Sequence, residues 1–195
     1  ANISICLAFL GHKVTAIDLD LGGANLHTCL GVPIPEHTLS DYLNRKVDNL
    51  SKLLTPTPIK NLNIISGAQD DLGIANLKHA HKQRLLTSLE DLDSDFIIFD
   101  LGAGTAINTL DFFINADQGI LTLLPEPTSI ENTYRFIKSV YSRRLKMVEE
   151  LLDITPLINE AMNAKLSVAG SSPVELIKKV IEIDPKMGQR LKEEI

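Results

Sequence analysis

Short apolar runs alternate along the chain with longer segments in which apolar residues recur at helical spacing. Runs with the length of buried strands occur at Val14, Ala16, Ile17 and Leu19, at Leu62, Ile64 and Ile65, at Phe96–Asp100, and at residues 118–124. Continuous runs of this kind are typical of parallel sheets covered on both faces. The pattern therefore predicts an α/β fold, with a mostly parallel sheet and helices on both of its faces.

The helical patterns are clearest in two segments. Leucines lie close to one face of residues 75–92, and a second apolar face is formed by Ile130, Tyr134, Ile137 and Tyr141. We expect this second face to pack against the sheet. From residue 145 onwards only helical signals follow. We therefore predict a single domain over residues 1–195, with a strand-and-helix core at 1–144 and a helical tail at 145–195.

Two carboxylates and two glycines come directly after the first buried run. Asp18 and Asp20 stand at its carboxyl end, and Gly22 and Gly23 follow. Open α/β sheets bind their ligands at the carboxyl ends of their strands. Glycines permit backbone conformations and close approaches that a β-carbon would block. This is the profile of a strand at a nucleotide site.

The run Phe96–Asp100 has the same form, because it ends in one acid and a glycine-containing loop follows. Asp100 closes the run, and Gly102 and Gly104 allow the loop to turn tightly and to move. A strand that ends in Asp fits a Walker B element, in which the carboxylate holds Mg²⁺ directly or through a water molecule. A single Asp after a buried strand also fits a helix cap or a turn, so each stretch alone leaves both interpretations open.

Together the stretches resemble a known family. The segments IDLDLGGANLHTCLG, FIIFDLGAG and DFFINADQGILTLLPEPTSIENTYRFIKSVYSRR are similar to the MinD/ParA class of deviant Walker A ATPases. The resemblance is greatest to the FlhG/FleN branch, the MinD-like proteins that set flagellar number and position. It covers residues 1–144, and the chain is more loosely similar to that branch from residue 146 on. It implies a P-loop NTPase fold with a helical C-terminal extension.

The resemblance also implies roles for the three acids. Asp20 matches the switch I aspartate that orients or activates the attacking water, so it is the candidate catalytic residue. Asp100 matches the Walker B acid that holds Mg²⁺ through water, so it is the candidate metal residue. Asp18 is the acid at the strand end that supports the nucleotide site.

Three further residues are implied as nucleotide-binding. Gly102 and Gly104 would let switch II move when the γ-phosphate is present or absent. Glu126 follows the run at 118–124, and in MinD-like ATPases this region lies near the dimer interface and the nucleotide of the partner. Alternatively, Glu126 is a loop carboxylate without a role in binding. Its position after a predicted strand fits this interpretation as well as a place at the dimer interface.

Proteins of this family bind the nucleotide phosphates with a glycine-rich loop that contains lysines. The chain contains no such loop. We therefore expect a domain truncated at both ends, with the loop and the central strand before Ala1. We expect the intact protein to hydrolyse ATP slowly, with Mg²⁺, as a nucleotide-sandwiched homodimer. The 195 residues alone should bind ATP poorly or not at all.

Composition and charge narrow the classes of partner. The chain has 19 Lys plus Arg and 25 Asp plus Glu, so the formal net charge is 19 − 25 = −6. This balance argues against non-specific binding of nucleic acid, which needs clustered basic residues. The sequence has no apolar run of the roughly 20 residues that a membrane helix needs. We expect a cytoplasmic protein, with peripheral contact at the inner membrane through a segment beyond Ile195.

Two further features have alternative interpretations. We read the two cysteines, Cys6 and Cys29, as buried free thiols, since Cys29 and His27 alone do not make a metal site. The other side of the helix at 75–92 carries a basic patch, defined by Lys78, His79, His81, Lys82 and Arg84. It is either a solvated helix face or a contact for an acidic partner or the membrane surface.

Three functions compete. The first is an ATPase switch that regulates flagellar number and placement, or positioning at the cell pole or division site. The second is a ParA-type partition ATPase, which ATP-dependent DNA binding would distinguish. The third is an inactive regulatory module that binds a flagellar transcription activator or the signal-recognition-type GTPase of flagellar assembly.

Overall fold

The structure is a computed structural model that describes residues 1–20, 23–67, 77, 79–163 and 173–195. The chain divides into two compact units, residues 1–103 and residues 104–195, and each is described by itself. The single domain with a helical tail from residue 145 stays a prediction.

The described strands of the first unit form one mostly parallel sheet. The elements are α1 (Asn2–Phe9), β1 (Val14–Asp18), α2 (Leu26–Cys29), α3 (Leu39–Leu43), a 3₁₀ helix (Leu50–Leu53), β2 (Thr55–Pro56), β3 (Leu62–Ile65), α4 (His79–Leu89) and β4 (Phe96–Asp100). The strand order is β2-β3-β1-β4. β1 pairs in parallel with β3 and with β4, and the two-residue β2 pairs antiparallel with β3. The predicted α/β class is confirmed.

β1 lies between β3 and β4 in this sheet, and all five of its residues are buried. It has a parallel neighbour on each side, which explains why its sequence is an apolar run rather than an alternating pattern. Side chains from α1, α2 and β3 pack with it into one core cluster, which contains Ala8, Val14, Ala16, Leu26, Leu30, Val32, Leu62 and Ile64. The core cluster therefore includes residues of β1 and α2, the two elements that flank the loop with Asp20.

Helix α3 begins with a capping box. The backbone N–H of Thr38 donates to Asp41 Oδ2 at 3.1 Å, and the Thr38 side chain accepts from the backbone of Asp41. This bond from Thr38 is the main reason that the pKa of Asp41 lies below its ordinary value, and Lys46 adds to the effect. The ionised carboxylate is therefore the form that the folded protein stabilises.

We expect Asp41→Ala to lower the free energy of unfolding by about 1 kcal/mol at neutral pH, as loss of a cap does. Because the pKa of Asp41 is lowered in the folded state, its contribution is present above the ordinary value of 3.8 and is lost as pH falls through the lowered pKa. Urea unfolding of the full-length protein at pH 7 and near pH 3 measures the difference. A deficit that is equally large at both pH values would contradict this prediction. Asp91→Ala, at an exposed turn, is the control.

Two residues of the basic patch on α4 lie against the rest of the fold. Lys82 is only 7% exposed. The Arg84 guanidinium lies 4.2 Å from the centre of the Tyr42 ring and donates to the Tyr42 carbonyl at 3.3 Å. Lys78 lies outside the described residues. The prediction of a solvated face was therefore wrong for Lys82, which is buried, and the partly buried Arg84 contacts α3.

The regular elements described in the second unit are all helices. Its elements are α5 (Ile107–Ile114), α6 (Pro127–Leu152), α7 (Thr155–Asn163), α8 (Pro173–Ile183) and α9 (Pro185–Glu194). Buried residues of the last four helices share a core cluster, which contains Val148, Ile154, Ile158, Ala161, Leu176, Ile177, Val180 and Leu191. The predicted helical C-terminal region is confirmed.

The strand predicted at residues 118–124 was wrong. These residues adopt no regular structure and are exposed. An apolar run becomes a strand only when a neighbouring strand accepts its backbone hydrogen bonds, and the described strands pair only with one another. Ile130, Tyr134 and Ile137 on α6 are also exposed, so the expected packing of this face was wrong for them.

Both cysteines are exposed, so the expectation of buried thiols was wrong. Within the described residues, no group of three or more His, Cys, Asp or Glu side chains could hold a metal ion. His27 and Cys29 therefore have no described third ligand. None of the described helices combines the length and the apolar character that a membrane span requires.

Candidate functional site

The acids at the ends of β1 and β4 lie side by side. The parallel register runs from Val14 opposite Phe96 to Asp18 opposite Asp100. The ladder continues one residue further, because the Leu19 N–H donates to the Asp100 carbonyl at 2.8 Å. The two strands that end in acids therefore meet at one end of the sheet.

Asp18 holds the loop that follows its own strand. It is 2% exposed. Its Oδ1 accepts from the Asp20 N–H at 3.1 Å, and its Oδ2 accepts from the Leu26 N–H at 3.0 Å. One carboxylate thus ties the start of the loop to the first residue of α2. A contact between Asp18 and a nucleotide stays a prediction.

Burial raises the pKa of the Asp18 carboxyl above its ordinary value, because the ionised form is costly away from water. The backbone N–H groups of Leu26 and Asp20 act in the opposite direction, since they stabilise the carboxylate. The nearby charges of Asp100 and Asp20 raise the pKa further. The Asp18 carboxyl therefore interacts electrostatically with both of the other acids at this end of the sheet.

The Asp20 carboxylate lies between two glycines of different loops. A β-carbon at Gly102 would lie 2.8 Å from Asp20 Oδ1, and one at Gly23 would lie 3.1 Å from Asp20 Oδ2. Gly102 belongs to the loop after β4, whereas Gly23 belongs to the loop after β1. The candidate catalytic acid is thus packed against the loop that the sequence predicts to be mobile.

Asp100 is exposed at the end of β4, so its carboxylate is accessible to a ligand. Mg²⁺ in nucleotide sites is bound through one or two carboxylates, with waters and substrate phosphates completing the octahedron. Asp100 supplies one such carboxylate at the strand end that pairs with Asp18. The residues present therefore fit a Mg²⁺–nucleotide site, with Asp100 as the candidate metal residue.

The other predicted site residues lie in the second unit or outside the described residues. Gly104 has a φ of 99°, a left-handed conformation that favours glycine. Glu126 precedes the first residue of α6, where it is exposed and makes no capping bond. The roles of Gly104 and Glu126 in nucleotide binding stay predictions. Gly22 lies outside the described residues.

The sequence did not assign a role to Gly67, which packs against the loop after β1. Gly67, two residues after β3, approaches the loop so closely that a β-carbon there would lie 2.9 Å from the Asp18 carbonyl oxygen and 2.9 Å from the Ala24 side chain. The available signal was a glycine shortly after a buried strand, at the same edge as Asp18. That signal indicated a loop after β3, but it did not indicate that Gly67 packs against Asp18 and Ala24.

The family of the chain follows from its comparison with known proteins. A family model described as an AAA domain matches residues 1–168. The chain belongs to this family. The resemblance to MinD/ParA-like P-loop ATPases is confirmed as well, because curated relatives and solved structures of that class match most of the chain.

Two curated relatives illustrate the match. The antiactivator FleN of Pseudomonas aeruginosa is 30% identical over 138 residues, which are 70% of this chain and 49% of FleN. The septum site-determining protein MinD of Helicobacter pylori is 28% identical over 138 residues, which are 70% of this chain and 51% of that protein. The chain thus spans about half the length of these curated relatives.

Solved structures support the fold. The cell division ATPase MinD of Pyrococcus furiosus has a TM-score of 0.63 and 23% identity, over 95% of this chain and 91% of that one. MinD of Pyrococcus horikoshii, solved with Mg-ADP, has a TM-score of 0.64 and 24% identity, over 97% of this chain and 90% of that one. At these identities the likeness shows the fold alone.

Proposed function

We propose that the full-length protein is an ATP-dependent switch of the MinD/ParA class, which hydrolyses ATP with Mg²⁺ at the edge formed by β1 and β4. The observation that carries the proposal is the pairing of Asp18 with Asp100, which brings Asp20 and Asp100 to one end of the sheet. Membership of the family supports the ATPase activity. The Mg-ADP bound to MinD of Pyrococcus horikoshii supports the choice of nucleotide and metal.

The chemistry of this site requires positioning and neutralisation of charge more than covalent catalysis. A magnesium ion would neutralise charge that develops on the transferred phosphoryl group. Asp100 would hold that ion through a water molecule. Asp20 would accept a hydrogen bond from the attacking water and orient it, while Asp18 would keep the backbone of Asp20 in place.

We further propose that the switch acts in flagellar number and placement, or in positioning at the cell pole or division site. The names of FleN, an antiactivator, and of MinD, a septum site-determining protein, support these processes. The protein would work in the cytoplasm, with peripheral contact at the inner membrane.

We propose a homodimer in the ATP-bound state, which then binds protein partners. The structure of a MinC:MinD complex from Aquifex aeolicus, with a TM-score of 0.59 and 24% identity, supports a role in partner binding. Size-exclusion chromatography with light scattering tests the dimer. The full-length protein should double in mass with a non-hydrolysable ATP analogue and stay monomeric with ADP. Equal masses in both nucleotides would contradict the proposal.

Hydrolysis of Mg-ATP by the full-length protein tests the central claim. Asp100→Asn should lower turnover or the apparent affinity for Mg²⁺ by roughly 10- to 100-fold, as the loss of an outer-sphere ligand does. Asp91→Asn, an exposed acid of the same unit, should leave both unchanged and serves as the control. An absence of Mg-ATP hydrolysis by the full-length protein would overturn the proposal.

A further inference from the structure

The Asp18 carboxylate holds the loop after β1 at two points. One oxygen accepts from the backbone N–H of Asp20, and the other accepts from that of Leu26. The carbonyl of Asp20 accepts from the Gly23 N–H at 3.1 Å. The backbone of Asp20 is therefore tied both to the buried end of β1 and to the loop itself.

The Asp20 side chain is positioned by a different contact. A β-carbon at Gly102 would lie 2.8 Å from Oδ1, 2.9 Å from Cγ and 3.2 Å from Oδ2 of Asp20. All three distances are shorter than ordinary contacts of a β-carbon. The carboxylate therefore occupies space that only a glycine at position 102 leaves open.

The glycine at 102 is not required by backbone conformation. Gly11, Gly31 and Gly104 have positive φ angles, and a β-carbon at each would meet nothing within 4 Å. Gly102 has the opposite character, because its φ is not in the positive range and its constraint is the Asp20 carboxylate. The residue type at position 102 is thus explained by the side chain at position 20.

We propose that Gly102 is a positioning residue for hydrolysis: its missing side chain lets the Asp20 carboxylate pack against the loop after β4, which couples that loop to the candidate catalytic acid. The catalytic part of this inference rests on the proposed ATPase function. A displacement of the loop after β4 would then change the position of the Asp20 carboxylate. The backbone of Asp20 would stay in place, because Asp18 holds it.

A double-mutant cycle on the full-length protein tests the contact without nucleotide. Gly102→Ala should lower the melting temperature by roughly 3–8 °C, because the new β-carbon displaces the carboxylate. In the Asp20→Ala background the same change should cost less than half as much, because the side chain that it meets is gone. Equal shifts in both backgrounds would overturn the proposal, whether or not the protein hydrolyses ATP.

Gly31→Ala is the matched control for this cycle. Gly31 has a φ of 68° and open space around its β-carbon position, so alanine there is strained by its backbone alone. Its effect on the melting temperature should be the same in the wild-type and Asp20→Ala backgrounds. A background-dependent effect of Gly31→Ala equal to that of Gly102→Ala would show that the cycle reports general destabilisation, and would overturn the inference.

Steady-state kinetics separate positioning from a structural role. In the full-length protein, Gly102→Ala should lower kcat for ATP by roughly 10- to 100-fold, the penalty of a misplaced group, with KM changed less than about twofold. An unchanged kcat, or a loss carried by KM alone, would overturn the positioning role. A wild-type protein without hydrolysis would instead refute the proposed function, and the stability cycle would still decide whether the contact exists.

Discussion

Replacement of Asp20 by alanine should abolish ATP turnover by the full-length protein while nucleotide binding is retained. Asp20 lies two residues beyond the end of β1, where Asp18 pairs with Asp100, and its carboxylate has no buried ion-pair partner among the described contacts. Removal of a group that orients and accepts protons from the attacking water typically costs 10²–10⁴-fold in rate, so we expect a loss of at least about 100-fold. Single-turnover hydrolysis measures it.

Binding must be measured separately, because a folding defect would also reduce turnover. Calorimetric titration with a non-hydrolysable ATP analogue should give an affinity within about threefold of wild type, since Asp20 contributes to the transition state rather than to ground-state binding. Asp91→Ala is the control, because it removes an exposed carboxylate of the same unit. Unchanged turnover in Asp20→Ala would remove Asp20 from its catalytic role.

Replacement of Asp111 by alanine should cause the largest loss of stability. Asp111 on α5 accepts from Arg143 on α6 through both oxygens, with 2.7 Å from Nε to Oδ1 and 3.3 Å from a terminal nitrogen to Oδ2. The side chains are 8% and 26% exposed, and the bond to Asp111 raises the pKa of Arg143. Loss of Asp111 leaves the partly buried Arg143 charge without this carboxylate, so the free energy of unfolding should fall by about 2 kcal/mol.

The chain offers a matched control on α6, the helix that carries Arg143. Glu131 and Arg135 form an exposed pair one turn apart on α6. Because water screens that pair, Glu131→Ala should cost less than about 0.5 kcal/mol. Urea unfolding of the full-length variants measures both changes. Similar losses in Asp111→Ala and Glu131→Ala would show that burial does not strengthen the pair between α5 and α6.

The strands that the sequence predicted correctly share a physical reason. β1, β3 and β4 were predicted from short apolar runs, and each pairs in parallel with a neighbour. The run at residues 118–124 is equally apolar, yet it is not a strand. Apolar character indicates what a segment can bury, whereas a strand also needs an adjacent edge that supplies hydrogen bonds. Periodicity does not contain that information.

The same limit applies to side chains. The helical pattern of α4 predicted that its basic residues face away from the core, but Lys82 is buried and Arg84 stacks on Tyr42. Tyr42 is 42 positions earlier in the chain, so no local pattern could indicate the contact. Long basic side chains also bury their aliphatic stems readily, which weakens the link between charge and exposure.

The sequence by itself determined the class of the fold and the approximate location of the site. Strands that end in Asp18 and Asp100 must bring their acids to one edge if they run parallel, because parallel strands have their carboxyl ends on the same side. Only the tertiary structure decided how each acid is used. The Asp18 oxygens accept hydrogen bonds from N–H groups within eight residues, but which glycine borders the Asp20 carboxylate depends on a contact between loops far apart in sequence. Such contacts arise from packing in three dimensions, which residue order constrains but does not encode locally.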